Sequence, residues 1–144
     1  MKHDYFYKID RIFYILDKQI NIWNFNAFLP HRITPSQYMT LKLLKNRSYR
    51  IGELSRIQGV NINTMSEIIS RLCKKCFIYK KKDLQDKRNV KVYLTELGKA
   101  VFEEISRYKK RHILKILKGL KEKEKRKFLQ TIDFFWQVIK GVRP

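Results

Sequence analysis

Residues 62–75 carry the pattern that most restricts the fold. At 100° per residue, Ile62, Met65, Ile68, Ile69 and Leu72 share one helical face, and Asn63, Glu67, Ser70 and Lys74 lie opposite. One side needs a core; the other is short, polar and able to hydrogen-bond. The chain around this segment is sharply punctuated. Thr34-Pro35-Ser36-Gln37 supplies an N-cap, a proline at the first helical position and a capping-box Gln for a helix through Tyr38, Leu41 and Leu44, ending near Asn46. A short helix through Ile51, Leu54 and Ile57 is stopped at Gly59, and Asn61 caps the helix that follows. Next, Phe77-Ile78-Tyr79 and Val90-Lys91-Val92-Tyr93-Leu94 predict two strands joined by a charged tip over residues 83–88. Thr95 then caps a long helix carrying Leu97, Val101, Ile105, Ile113 and Ile116, which Gly119 ends.

The two chain ends read differently. Residues 4–28 repeat Ile9, Ile12, Phe13, Leu16, Ile20 and Trp23 at helical spacing, with Tyr5, Phe6, Tyr14, Phe25 and Phe28 adding aromatic surface on several sides. A last helix over residues 122–140 spreads Phe128, Leu129, Ile132, Phe134, Phe135, Trp136, Val138 and Ile139 over more than half its circumference. One packing partner cannot cover that arc, so both ends are expected to be buried together in a symmetric homodimer.

Charge names the partner class. The 144 residues hold 33 Lys and Arg against 13 Asp and Glu, a formal charge of +20. Residues 1–70 contribute ten bases and five acids, and the remainder twenty-three and eight. With 44% hydrophobic residues the chain can build a core, so the charge does not signal a disordered tail. The expected partner is a polyanion. No apolar run reaches the roughly 18 residues of a spanning helix, and Met1-Lys2-His3-Asp4-Tyr5 does not begin a signal peptide. Two cysteines are too few for a disulfide framework, which suits a reducing cytoplasm; no membrane partner is expected.

Short helix, glycine turn, polar-faced helix and basic hairpin occur in the order of a winged helix-turn-helix. The expected fold is mainly α with a small β-hairpin wing, a single domain over 1–144. A winged helix-turn-helix DNA-binding region would span 33–95, with helical dimerisation regions at 1–30 and 96–144. Small polar side chains on an exposed helix face can enter the major groove and hydrogen-bond base edges. That assigns Asn61, Asn63, Thr64, Ser66, Glu67, Ser70 and Arg71 to DNA, the last two toward phosphates or the next bases. Wing Lys and Arg residues neutralise phosphates, which adds Lys81, Lys87 and Arg88.

These residues also resemble a known family. Thr34-Pro35-Ser36-Gln37-Tyr38, Ile51-Gly52-Glu53-Leu54-Ser55, Gly59-Val60-Asn61, Thr64-Met65-Ser66, Arg71-Leu72, the wing Asp86-Lys87-Arg88 and Val92-Tyr93-Leu94-Thr95-Glu96-Leu97-Gly98 are similar to the MarR family of bacterial and archaeal transcription regulators. The resemblance covers residues 33–100. It implies a homodimer with interlocked terminal helices and two winged modules on a pseudo-palindromic double-stranded operator. It also implies repression, usually relieved by a small molecule or an oxidant. Arg88 would then be the minor-groove arginine and Asp86 the carboxylate that orients it. An effector pocket between the first, second and fifth helices would draw on Phe28, His31, Arg32 and Tyr38.

The chain departs from the family pattern at Cys76, where a glycine usually ends the recognition helix. A non-glycine there must either take a left-handed conformation or end the helix another way. With Cys73 it spells Cys-x-x-Cys, a redox pair or half a zinc site. No second pair completes four ligands, and the wheel places Cys76 near the apolar face, so two semi-buried thiols and no metal are expected. No enzyme is expected either, since His3, His31 and His112 have no nucleophile or carboxylate at a motif spacing and no glycine-rich phosphate loop exists. No cofactor is implied. The alternative reading is an architectural protein that coats DNA through charge alone, or one bound to an anionic membrane surface. The polar face at 63–70 argues against both, because a binder of phosphates alone has no use for it.

Overall fold

The computed structural model describes residues 2–83, 86 and 89–141, with backbone alone at 2–6, 20 and 22–26. The expected aromatic contributions of Tyr5, Phe6, Trp23 and Phe25 therefore lie outside the described side chains, as does that of Ile20. In chain order the elements are α1 (Lys2–Phe28), a 3-10 turn (Leu29–His31), α2 (Pro35–Leu44), β1 (Tyr49–Arg50), α3 (Ile51–Gln58), α4 (Ile62–Lys74), β2 (Ile78–Lys82), β3 (Val90–Leu94), α5 (Glu96–Lys118) and α6 (Glu122–Gly141). Two compact units divide the chain, Met1–Arg107 and Tyr108–Pro144.

Local chemistry explains where the helices of the first unit start and stop. The Thr34 hydroxyl accepts from the Gln37 N–H (3.2 Å), and the Gln37 side chain accepts from the Thr34 N–H (3.0 Å), so the capping box is closed in both directions. Gly59 ends α3 at φ 65, a left-handed position that costs glycine nothing. Asn61 Oδ1 then accepts from the Thr64 N–H (2.8 Å) and starts α4. Met65, Ile68, Ile69 and Leu72 of α4 are buried against α2, α3 and β2, each contributing about 2 kcal/mol of apolar burial. Leu41, Leu54, Val92 and Ile105 complete the centre of this core.

Several expected positions are corrected. Ile62 is exposed: at the first position of α4 no earlier turn covers it, and Gly52, beside its side chain, has no Cβ to pack on it. Ile57 is exposed as well. In α5, Gly98, Val101, Phe102 and Ile105 face the core and Leu97 points away from it, because Gly98 is pressed against the backbone of Phe77. The sheet has three strands in the order β1-β3-β2, all antiparallel, and Tyr49–Arg50 was not expected as a strand. Two residues are too short for any period-2 signal to show. The wing strand begins at Ile78 and runs on to Lys82, with Tyr79 stacked on its cross-strand partner Tyr93 at 5.3 Å.

The junction between α4 and the wing is held from below. Cys76 takes the left-handed conformation, φ 59, and its N–H donates to the Cys73 carbonyl (2.9 Å). The Thr95 hydroxyl donates toward the carbonyls of Cys76 (2.7 Å) and Phe77 (3.0 Å) and accepts from the Gly98 N–H (2.9 Å). A Cβ on Gly98 would sit 2.0 Å from the Phe77 carbonyl oxygen. The spacing Leu94-Thr95-x-x-Gly98 is thus a clamp: a hydroxyl and a bare Cα grip the backbone where α4 turns into the hairpin.

The second unit holds the end of α5 and α6, joined by a turn in which the Gly119 and Leu120 N–H groups donate to the Ile116 and Leu117 carbonyls. No residue of α6 is buried. Among the described residues, no helix is long and apolar enough to cross a membrane.

Candidate nucleic-acid interface

On α4 the side chains of Asn63, Thr64, Ser66, Glu67, Ser70 and Arg71 are all exposed, so one continuous polar face stands opposite the buried Met65–Leu72 row. They are not equally available. Asn61 spends its side-chain oxygen on the cap, leaving only its amide N–H groups to reach outward. The Ser66 hydroxyl donates to the Ile62 carbonyl (2.8 Å), which leaves its oxygen as an acceptor. Glu67 and Arg71 lie one turn apart at 4.0 Å, an exposed pair that DNA can separate at little cost. Asn63, with donors and an acceptor on one amide, is the most versatile group near the helix N-terminus.

The wing adds cations. Lys80, Lys81 and Lys82 are exposed along β2. Between α4 and β2 runs a groove of about 530 Å3, lined by Ser70, Cys73, Lys74, Cys76, Ile78, Tyr79, Lys80 and Thr95. Lys87 and Arg88 lie outside the described residues. Asp86 is described, and its carboxylate accepts from the Asn89 side chain (2.7 Å) while its carbonyl accepts from the Asn89 N–H (2.9 Å). Among the described residues of the wing, Asp83 is held by two cations. Asp83, with a side chain only 10% exposed, lies 2.8 Å from Lys91 Nζ and 3.9 Å from Arg50 Nη2. Lys91 is therefore neutralised. Arg50 joins the pair only through the unexpected strand β1.

Of the two thiols, Cys73 is semi-buried as expected and Cys76 is not. Cys76 is exposed, because a left-handed residue past the helix end swings its side chain off the apolar face. Cys73 is half-buried, and burial pushes its thiol up, against a smaller opposing pull from Lys80. No group of three or more His, Cys, Asp or Glu side chains gathers as a metal site among the described residues.

Behind α4, Lys75 donates to the carbonyls of His31 (3.1 Å) and Arg32, tying the helix end to the loop before α2. Burial lowers the Lys75 pKa, and the neighbouring Arg32 lowers it further. Phe28 packs on Tyr38 (5.1 Å between ring centres) and Tyr38 on Phe102 (5.5 Å), with the Tyr38 hydroxyl 3.1 Å from Ser106 Oγ. Of the four residues assigned to an effector pocket, Phe28 and Arg32 line a cavity of about 360 Å3 together with Asn21, Leu29, Ile33, Thr34 and Pro35. His31 turns instead to Glu104, at 3.2 Å, and Tyr38 sits in the aromatic stack.

Residues 29–105 match the model of the transcriptional regulator family SarA/Rot. The chain belongs to that family. The HTH-type transcriptional regulator SarZ of Staphylococcus aureus (strain USA300) is 26% identical over 91 residues, a stretch that spans 62% of each protein. The fold is that of MarR-type winged-helix regulators. A MarR family protein from Bacillus stearothermophilus matches with a TM-score of 0.85 at 18% identity, covering 97% of this chain and 99% of that one. Streptococcus pneumoniae FabT, solved in complex with DNA, matches at 0.82 and 20% identity, covering 96% and 99%. The expected class, mainly α with a β wing, is the one observed.

Proposed function

We propose that this member of the SarA/Rot family is a homodimeric, sequence-specific double-stranded DNA-binding repressor. In this reading α4 reads the major groove and the wing reaches the minor groove. The observation that carries it is the pairing of an uninterrupted polar face on α4 with the lysine-bearing strand beside it. A protein that only coats DNA needs the lysines and gains nothing from Asn63, Thr64 and Ser70. That FabT, of similar fold, has been solved with DNA supports the reading. Dimerisation is supported by the exposed apolar surface of α6 and by Ile9, Ile12, Phe13 and Leu16 on α1, far more than a lone subunit leaves uncovered. The operator would then be pseudo-palindromic, as the symmetry of two equal modules requires. The cavity at Phe28 and Arg32 supports response to a small apolar molecule carrying negative charge, with Lys75 the link from its rim to the end of α4.

Wing insertion is tested by Arg88→Ala, expected to weaken binding to a duplex enriched from a random pool by about 1 to 3 kcal/mol. Asp86→Ala should have a smaller effect, and Lys81→Ala should weaken binding to every sequence alike. Undiminished binding by Arg88→Ala would remove the wing from the interface. Equal affinity of the parent for the enriched duplex and for bulk DNA would favour the architectural reading.

A further inference from the structure

The wing hairpin outruns its support. β1 pairs with β3 only at Tyr49↔Val92 and Arg50↔Lys91, so beyond Lys91 two strands stand alone. An isolated two-stranded hairpin is marginal in water. Two residues past that last supported row sits Asp83, which reaches back to it. Its carboxylate faces Lys91 of β3 at 2.8 Å and Arg50 of β1 at 3.9 Å, and its N–H donates to the Asn89 carbonyl (2.8 Å), closing the hairpin. The contacts continue inward. The Arg50 N–H donates to Glu53 Oε2 (2.7 Å) in the first turn of α3, and Glu53 lies 3.7 Å from Arg47. Arg50 thus joins the wing to the first helix of the helix-turn-helix, its guanidinium near Asp83 and its backbone N–H on Glu53. With Asp83 nearly buried and Lys91 two-thirds covered, the pair is shielded from the solvent screening that makes surface ion pairs weak.

We propose that Asp83 is a positioning residue for DNA binding, holding the wing against β1 and therefore in register with α4. The proposal rests on the reading of α4 and the wing given above. It makes a prediction of opposite sign to simple electrostatics. A carboxylate beside a polyanion repels it, so by charge alone Asp83→Asn would tighten binding to any duplex. Positioning demands that binding to the preferred duplex weaken, because a wing that wanders loses its minor-groove contact while α4 keeps its own.

The test uses the full chain and fluorescence anisotropy on two short duplexes, one enriched from a random pool by the parent protein and one of scrambled sequence. Asp83→Asn is expected to weaken the enriched duplex about tenfold, to leave the scrambled duplex unchanged or tighter, and to add nothing further in an Arg88→Ala background. Lys91→Gln breaks the pair from the other side, should the first variant not fold, and is expected to show the same non-additivity. A residue that only stabilises the fold would act on both duplexes and add to Arg88→Ala. Binding of Asp83→Asn to the enriched duplex at parental strength or better would overturn the proposal, as would full additivity. Failure of the parent to enrich any duplex would overturn the function proposed above instead.

Discussion

Helices α4 and α6 are both rich in apolar side chains, yet past its first turn α4 buries its apolar row and α6 buries nothing. On α4 the four inward residues are at most 9% exposed; on α6 Phe128, Leu129, Ile132, Phe134, Phe135, Trp136, Val138 and Ile139 are all at least 42% exposed. The difference lies in the width of the arc. A narrow apolar stripe with a polar back closes against its own chain and leaves a surface free for a polar ligand. A broad one gains the same roughly 25 cal/mol per Å2 only when a second surface arrives. The contrast separates a module complete in one chain from a helix that, in the proposed homodimer, is completed by another.

The sharpest way to break the complete module is Gly98→Ala. The added methyl meets the Phe77 carbonyl, and about 3 kcal/mol of stability should be lost, read by urea denaturation. An effect below the usual surface range would mean that the Thr95–Gly98 clamp does not hold the junction. On the other helix, Ile132→Asp distinguishes free from covered surface. An exposed position tolerates the change within about 0.5 kcal/mol, whereas a dimer interface should lose about 2 kcal/mol, in a parent whose melting temperature rises with concentration. Sedimentation of a folded parental monomer at micromolar concentration would remove the dimer from the account. A smaller gain is expected from Cys76→Gly, about 1 kcal/mol, because glycine relieves the left-handed conformation and the exposed thiol takes no packing with it. Smallest is a difference in rate: iodoacetamide should label exposed Cys76 ahead of Cys73, whose burial raises its thiol pKa, with peptide mapping as the readout.

How legible each part was follows from the range of the interactions that form it. The starts of α2 and α4 depend on contacts three residues apart, Thr34 with Gln37 and Asn61 with Thr64, and could be placed from the chain directly. The left-handed alternative posed at Cys76 is likewise local, and the structure takes it. What escaped was long-range. Strand β1 exists only because β3 pairs with it, and Arg50 reaches Asp83 only because β1 does. The Asp83–Lys91 pair crosses the expected hairpin, yet no spacing along the chain shows that the carboxylate turns back to that lysine. Ile62 was misplaced for a related reason: a helical wheel treats every turn alike, and the first turn lacks the neighbours that bury the rest. The α4 residues assigned to DNA were named from their polar face, which the structure keeps exposed; their contact with DNA is the proposal.

That proposal is tested most directly at Asn63, the residue on the polar face with both donors and an acceptor to offer a base edge. The measurement is the ratio of affinities for the enriched and the scrambled duplex, compared between the parent and Asn63→Ala at one fixed salt concentration. The account predicts that the ratio falls by the equivalent of about 1 to 3 kcal/mol, with scrambled-duplex binding unchanged because the phosphate contacts survive. A variant that keeps the full ratio would contradict it, and would mean that the polar face of α4 does not read DNA.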